Sequence, residues 1–154
     1  MENPYQAPET LVEDTDINVE YAGFWVRVLA SILDGLLLLL ITVPVQYAFI
    51  GDALWDPNSS GMSGVEIVMG YIFPFAYTLT FWCTMAATPA KRLLGLKIID
   101  VNTGEPIRMS QGILRYIGYF CAYLPFFIGI MWVGWDARKQ GWHDKMAQTA
   151  VIRQ

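Results

Sequence analysis

Residues 21–50 read YAGFWVRVLASILDGLLLLLITVPVQYAFI. From about Val28 to Ile50 the only charge in this run is Asp34. A helix needs about 20 apolar residues to cross the hydrocarbon core of a bilayer, and this run supplies them. Two further blocks meet the same requirement. One runs from about Ile67 to Ala87 without a charge, with Glu66 at its mouth, and the other from Tyr116 to Trp135, also uncharged. Aromatic residues mark the edges: Tyr21, Phe24 and Trp25 before the first block, Trp55 after it, Trp135 and Trp142 around the third. Such a belt belongs at the level of the lipid headgroups.

Composition agrees. The chain has 154 residues, enough for one domain. Apolar residues make up 55% and charged residues 16%, against about 45–50% and about 25% in soluble domains. The mean hydropathy is +0.37. These values exclude a disordered chain, a disulfide-rich secreted scaffold and an ordinary cytosolic enzyme. Cys83 and Cys121 each sit inside an apolar block and read as small hydrophobes. With a single histidine and two separated cysteines, no metal-ligand spacing exists, and no cofactor is expected. Residues 1–20 are acidic, contain Pro4 and Pro8, and lack the features of a signal peptide. They read as a mobile tail outside the bilayer, which leaves residues 21–154 as the membrane domain.

Nine of the ten Lys and Arg residues lie at or beyond position 91; Arg27 is the other. The loop Asp52–Gly64 has none, whereas residues 88–115 carry Lys91, Arg92, Lys97, Arg108 and Arg115. The positive-inside rule therefore places the first loop outside and the second in the cytoplasm, with a cytoplasmic N-terminus. A plain third crossing would export Arg138, Lys139, Lys145 and Arg153. The segment 109–135 contains Pro125 and Gly129, and it is too short for two crossings. We expect a broken or re-entrant hairpin that keeps the C-terminus cytoplasmic, with a plain third span as the alternative. Pro74 is a second candidate break. Leu96–Val101 reads as a strand, Asn102–Gly104 as a turn and Glu105–Arg108 as its return; Thr149–Ile152 is another β-rich run, and these pair into a small sheet on the inner face if the C-terminus is cytoplasmic. Together these define an all-α membrane protein with two full spans, a third broken segment and a small cytoplasmic hairpin or sheet.

The phrases YAGFWVRVLASILDGLLLLL, TPAKRLLGLKIIDVNTGEP and DARKQGWHDKMAQTAVI resemble the RDD family of bacterial membrane proteins. That family takes its name from one arginine and two aspartates. The resemblance maps its arginine to Arg27 and its first aspartate to Asp34. For the second, Asp144 is favoured, with Asp100 and Asp136 as rivals. The resemblance implies an integral protein of the bacterial inner membrane that transports an unidentified ligand.

Arg27, Ser31 and Asp34 fall at i, i+4 and i+7 and share a helix face. An intramembrane carboxylate costs about 2.5–3.5 kcal/mol on insertion scales, and such groups mark ion paths or buried pairs. Asp34 reads either as a coupling site for a monovalent cation and a proton, with Arg27 or a partner tuning it, or as one half of a fixed ion pair with Arg115 or Arg92. Tyr77, Thr80, Thr84 and Thr88 form a stripe that could line a path or bond neighbouring helices. Tyr116, Tyr119 and Tyr123 share a face in the third block. His143 and Asp144 read as a structural tie of the tail to the cytoplasmic loop. Lys91, Arg92, Arg138 and Lys139 are candidates for anionic headgroups. No phosphate loop, nucleophile elbow or zinc motif appears, so an enzyme is not expected, and charge alone does not support nucleic-acid binding. Two functions remain: a small transporter acting as a homo-oligomer, or a membrane adaptor that recruits a partner or anionic lipid.

Overall fold

The computed structural model describes residues 20–56 and 61–154. The acidic tail expected over residues 1–20 lies outside the described residues, apart from Glu20.

Helix α1 spans Phe24–Ile50 and runs on through a 3-10 turn at Gly51–Trp55. Its buried residues are Arg27, Ala30, Asp34 and Thr42, while Leu29, Ile32, Leu36, Leu39, Leu40 and Phe49 are exposed. This pattern is inside-out for water and correct for lipid, where apolar side chains gain nothing by leaving the surface. A second rod follows: α2 (Gly64–Ile67), a wide π turn at Val68–Ile72, and α3 (Phe73–Met85). Glu66 closes its start, with the Ser63 hydroxyl accepting from the Glu66 N–H and the Glu66 carboxylate accepting from the Ser63 N–H at 2.6 Å. Pro74 does not break this rod as expected. It sits in the first turn of α3 directly after the π turn, where its missing N–H is absorbed. Both rods are long and apolar enough to cross a membrane, over Phe24–Trp55 and Gly64–Leu93.

Pro125 does break the third segment. Helix α5 (Met109–Tyr123; the short α4 is Pro89–Leu93) turns by 115° into α6 (Ile128–Met131) and a 3-10 turn at Trp132–Gly134. Phe126 and Phe127, at φ 50° and 62°, make the reversal in left-handed backbone, a conformation that side chains disfavour. The hairpin closes through glycines. A Cβ on Gly129 would stand 2.7 Å from Ala122 Cα, and one on Gly118 2.8 Å from His143 Cα in α7 (Trp142–Met146).

The sheet joins β1 (Leu96–Asp100) to β2 (Thr149–Arg153), antiparallel, with Ile98 opposite Val151. This corrects the hairpin expected within 96–108, whose return strand amounts to one bridge between Ile99 and Pro106. Residues before α1 add to the other edge: the Ala22 N–H donates to Val151 O and the Arg153 N–H to Glu20 O. The start of α1, the segment after α3 and the C-terminal strand thus meet in one place. The 115° bend between α5 and α6 brings the chain back to β1, where β2 pairs with it. Ala22, Leu96, Ile98, Ile107 and Val151 pack under the sheet and meet Ala30, Leu79 and Trp82 of the long helices.

We predict that Gly118→Ala lowers unfolding stability in detergent by about 1–3 kcal/mol, because backbone stands where the methyl must go. Gly35→Ala, with nothing within 4 Å of its added carbon, should leave stability unchanged or slightly raised.

Candidate functional site

The first turn of α1, the middle of α5, α7 and β2 converge on one carboxylate. Asp144 is fully buried. Its Oδ2 accepts from Arg27 Nη1 at 2.7 Å and from the Gly141 N–H at 3.1 Å. Arg115 Nη2 lies 2.6 Å from Oδ1. Each arginine then reaches the tail again: Arg27 donates from Nη2 to Val151 O, and Arg115 from Nη1 to Thr149 Oγ1. Arg27 Nε also donates to Ala22 O, and Gln140 Nε2 to Thr149 O. Asp144 therefore ties the tail to the loop 88–115 through Arg115, as the sequence suggested, and also to the start of α1 through Arg27. Arg27 does not snorkel to a headgroup; it is 9% exposed.

His143 stacks on Tyr119 with ring centroids 4.0 Å apart. Burial pushes its imidazole down to about 3, against 6.5 in an open chain, so it is neutral at physiological pH. Burial opposes the charge of Asp144, yet Arg115, then His143 and Arg27, hold its carboxyl well below the usual carboxylate range.

Asp34 lies apart from this node. Its carboxylate accepts from the Thr88 hydroxyl and from the Ala90 N–H at 3.0 Å. It thereby satisfies the start of α4, where Pro89 has no N–H to offer. Neither Arg115 nor Arg92 pairs with it, which corrects the fixed ion pair considered above; Arg115 is taken by Asp144 and Arg92 is exposed. Asp34 also stands in the wall of a cavity of 290 Å³ between α1, α3 and α5, with Ser31, Thr78, Thr88, Tyr116 and Tyr119. Tyr123 joins them, so the tyrosine face of α5 does line this space. Of the Tyr77, Thr80, Thr84 and Thr88 stripe only Thr88 does: Thr80 and Thr84 are exposed, and Thr84 donates to Thr80 O. The buried Tyr77 hydroxyl has no hydrogen-bond partner among the described residues. Thr78 joins Thr88 in the polar wall.

The rival aspartates lie elsewhere. Asp100 accepts from the Asn102 N–H, the main cause of its lowered pKa, and from Gln111 Nε2. Asp136 caps a turn through the Arg138 and Gln140 N–H groups and pairs with Lys145. Of the four headgroup candidates, Arg92 and Arg138 are exposed, and Lys139 Nζ donates to Gly134 O. Lys91 is buried at 6% exposure, with Nζ 5.4 Å from the Trp82 ring centre; Arg115 takes the same ring at 5.2 Å. Sequence reasoning offered Arg115 as an ion-pair partner but for Asp34 rather than Asp144, and it missed Lys91 as an interior group. Arg115 gave a signal, since it directly precedes an uncharged block; Lys91 sits among other loop bases and gave none.

The chain belongs to the RDD family, whose profile matches residues 21–148. It is 28% identical to the uncharacterized protein YxaI of Bacillus subtilis, over 85% of this chain and 96% of that protein. It is 30% identical to the uncharacterized membrane protein YteJ of the same organism, over 87% of this chain and 82% of that one. It is also 36% identical to the uncharacterized protein RP437 of Rickettsia prowazekii, over 51% of this chain but only 43% of that protein. No solved structure matches.

Asp144→Asn leaves two guanidinium groups buried against a neutral partner, so it should cost about 3–5 kcal/mol in unfolding measurements in detergent. Asp136→Asn, in a part-exposed pair, should stay within about 1 kcal/mol of the wild type.

The pH dependence follows from His143. Its native pKa is depressed, so the unfolded chain binds more protons between about 3 and 6.5. Stability is complete above the unfolded value and is lost as pH falls toward the native one. Melting temperature should fall from pH 7 to pH 4, and His143→Gln should flatten that slope. An unchanged slope would place the acid sensitivity elsewhere.

Proposed function

We propose that this RDD protein is a small, non-enzymatic transporter of the bacterial inner membrane, with both termini in the cytoplasm, that binds its solute in the cleft between α1, α3 and α5. The observation that supports this is the 290 Å³ cavity whose wall sets Asp34, Lys91, Thr78 and Thr88 among Leu38, Trp82 and the rings of α5. Ionisable groups at membrane depth commonly face such hydrated spaces. Two long helices and one bent pair enclose no path by themselves, so the working form is a homo-oligomer. Exchange of a monovalent cation for a proton at Asp34 is the specific form of this reading, with Ser31 and Arg27 as neighbours on the same helix. It requires Asp34 to release the Thr88 hydroxyl or the Ala90 N–H during the cycle.

A second reading is a membrane adaptor, favoured by the same two hydrogen bonds. A carboxylate fully engaged by its own chain serves as a cap, and the sheet with Arg92 and Lys97 beside it offers a surface for a partner. The two readings separate chemically. A cap needs only an acceptor, which asparagine retains; exchange needs an ionisable group.

Asp34→Asn should insert and fold yet carry no Na⁺-, Li⁺- or K⁺-driven proton flux in proteoliposomes where the wild type does. Wild-type vesicles of confirmed orientation without flux would remove cation–proton exchange and leave the adaptor.

A further inference from the structure

A second cavity, of 280 Å³, adjoins the first and shares Ser31, Lys91, Tyr119 and Tyr123 with it. Its wall holds Arg27, Lys91 and Arg115, and no Asp or Glu. Two of these cations are accounted for by Asp144. Lys91 is not. Among the described residues no acceptor is hydrogen-bonded to its ammonium and no carboxylate stands within ion-pair distance; the Trp82 ring faces it, and Tyr119 shares its cavity wall. Asp34 acts on it only at longer range, with hydrogen bonds to Thr88 and Ala90 instead. Over the whole buried cluster, Arg27, Lys91 and Arg115 face Asp34 and Asp144, so one positive charge is left over.

A buried ammonium without a counter-charge is costly unless something of opposite sign reaches it. The rest of the wall says what that something looks like. Val28, Ile32, Ile130 and Val133 make one side apolar, beside helix faces that are themselves exposed and apolar. We propose that this second cavity is an anion subsite, in which Lys91 receives a phosphate or phosphodiester group while the apolar wall takes the chains of an amphiphile. The proposal rests on the cleft being a ligand site, as above, but not on transport through it. Phosphate chemistry suits a compact ammonium, which acts as a point charge on such oxygens. A lipid headgroup and free phosphate share that chemistry, and the test separates them.

The test is titration calorimetry on the full chain in a neutral maltoside detergent, with dihexanoylphosphatidylglycerol and with inorganic phosphate as separate probes. The wild type should bind at least one. Lys91→Met should weaken that binding by about tenfold or more, and Lys91→Arg should retain it. Lys91→Met removes an unpaired buried charge, so it should melt at or above the wild-type temperature without a probe, and the probe should raise only the wild-type and Lys91→Arg values. Binding of phosphatidylglycerol alone assigns the subsite to a lipid headgroup; binding of phosphate as well assigns it to a small anion. Equal affinities in wild type and Lys91→Met, or no binding of either probe to the wild type, would overturn the proposal. Binding without ion-driven flux would keep this subsite and remove the transport reading; flux without anion binding would do the reverse.

Discussion

The carboxylate of Asp144 is the point on which the architecture depends. It is buried, and it is gripped by one arginine from α1 and another from α5. Those same arginines hold Val151 and Thr149 of the C-terminal strand. Between helices in lipid the hydrophobic effect supplies no attraction, so packing, hydrogen bonds and ion pairs must choose the arrangement. Losing one partner would leave a buried charge uncompensated, which makes the node an all-or-none element rather than a sum of contacts.

The rest of the membrane region follows the same logic. The buried face of α1 is small or polar, with Ala30 between Arg27 and Asp34, and its leucines point outward. Close approach of α5 to α6 and α7 comes through Gly129 and Gly118, where no side chain stands between backbones. Beneath the sheet the rule changes. Leu96, Ile98, Ile107 and Val151 form an ordinary apolar core, as they would in water. Trp82 belongs to both regimes: its ring joins that core and carries Lys91 and Arg115 on its faces.

Much of this was readable from the chain. The two long apolar runs, the break at Pro125 and the strands at 96 and 149 follow from length, proline chemistry and β-rich composition. That those runs pair with each other was one arrangement the chain allowed; what it could not decide was the competition with the local turn at Asn102–Gly104, because propensity does not rank a nearby partner against one some fifty residues away. The π turn that absorbs Pro74 left no trace in composition. At the site, Asp34 and Asp144 stood out as charges in unusual places. Their partners did not. Thr88 stood out only as one of a stripe of polar residues and the Ala90 N–H looks like any loop, while the pairing of Arg115 with Asp144 spans a reversal that spacing cannot encode.

The two aspartates divide the work unequally, and the inequality has a physical consequence. Asp144 neutralises part of a pair of guanidinium groups, which are fixed charges with planar donors suited to a carboxylate. Asp34 spends its oxygens on uncharged donors, where it secures a helix start that would otherwise leave an N–H unsatisfied. Neither makes an ion pair with Lys91, whose ammonium lies over an indole face. A cation over an aromatic ring gains about 0.5–2 kcal/mol, whereas removing an ammonium from water costs several kcal/mol. A purely structural interior would place an acid there or replace the lysine by an apolar residue. Lys91 is therefore the one cation of the cluster whose charged group has neither a hydrogen bond nor an ion pair among the described residues. It stands where the two cavities meet, which makes the cleft an interior completed from outside the chain.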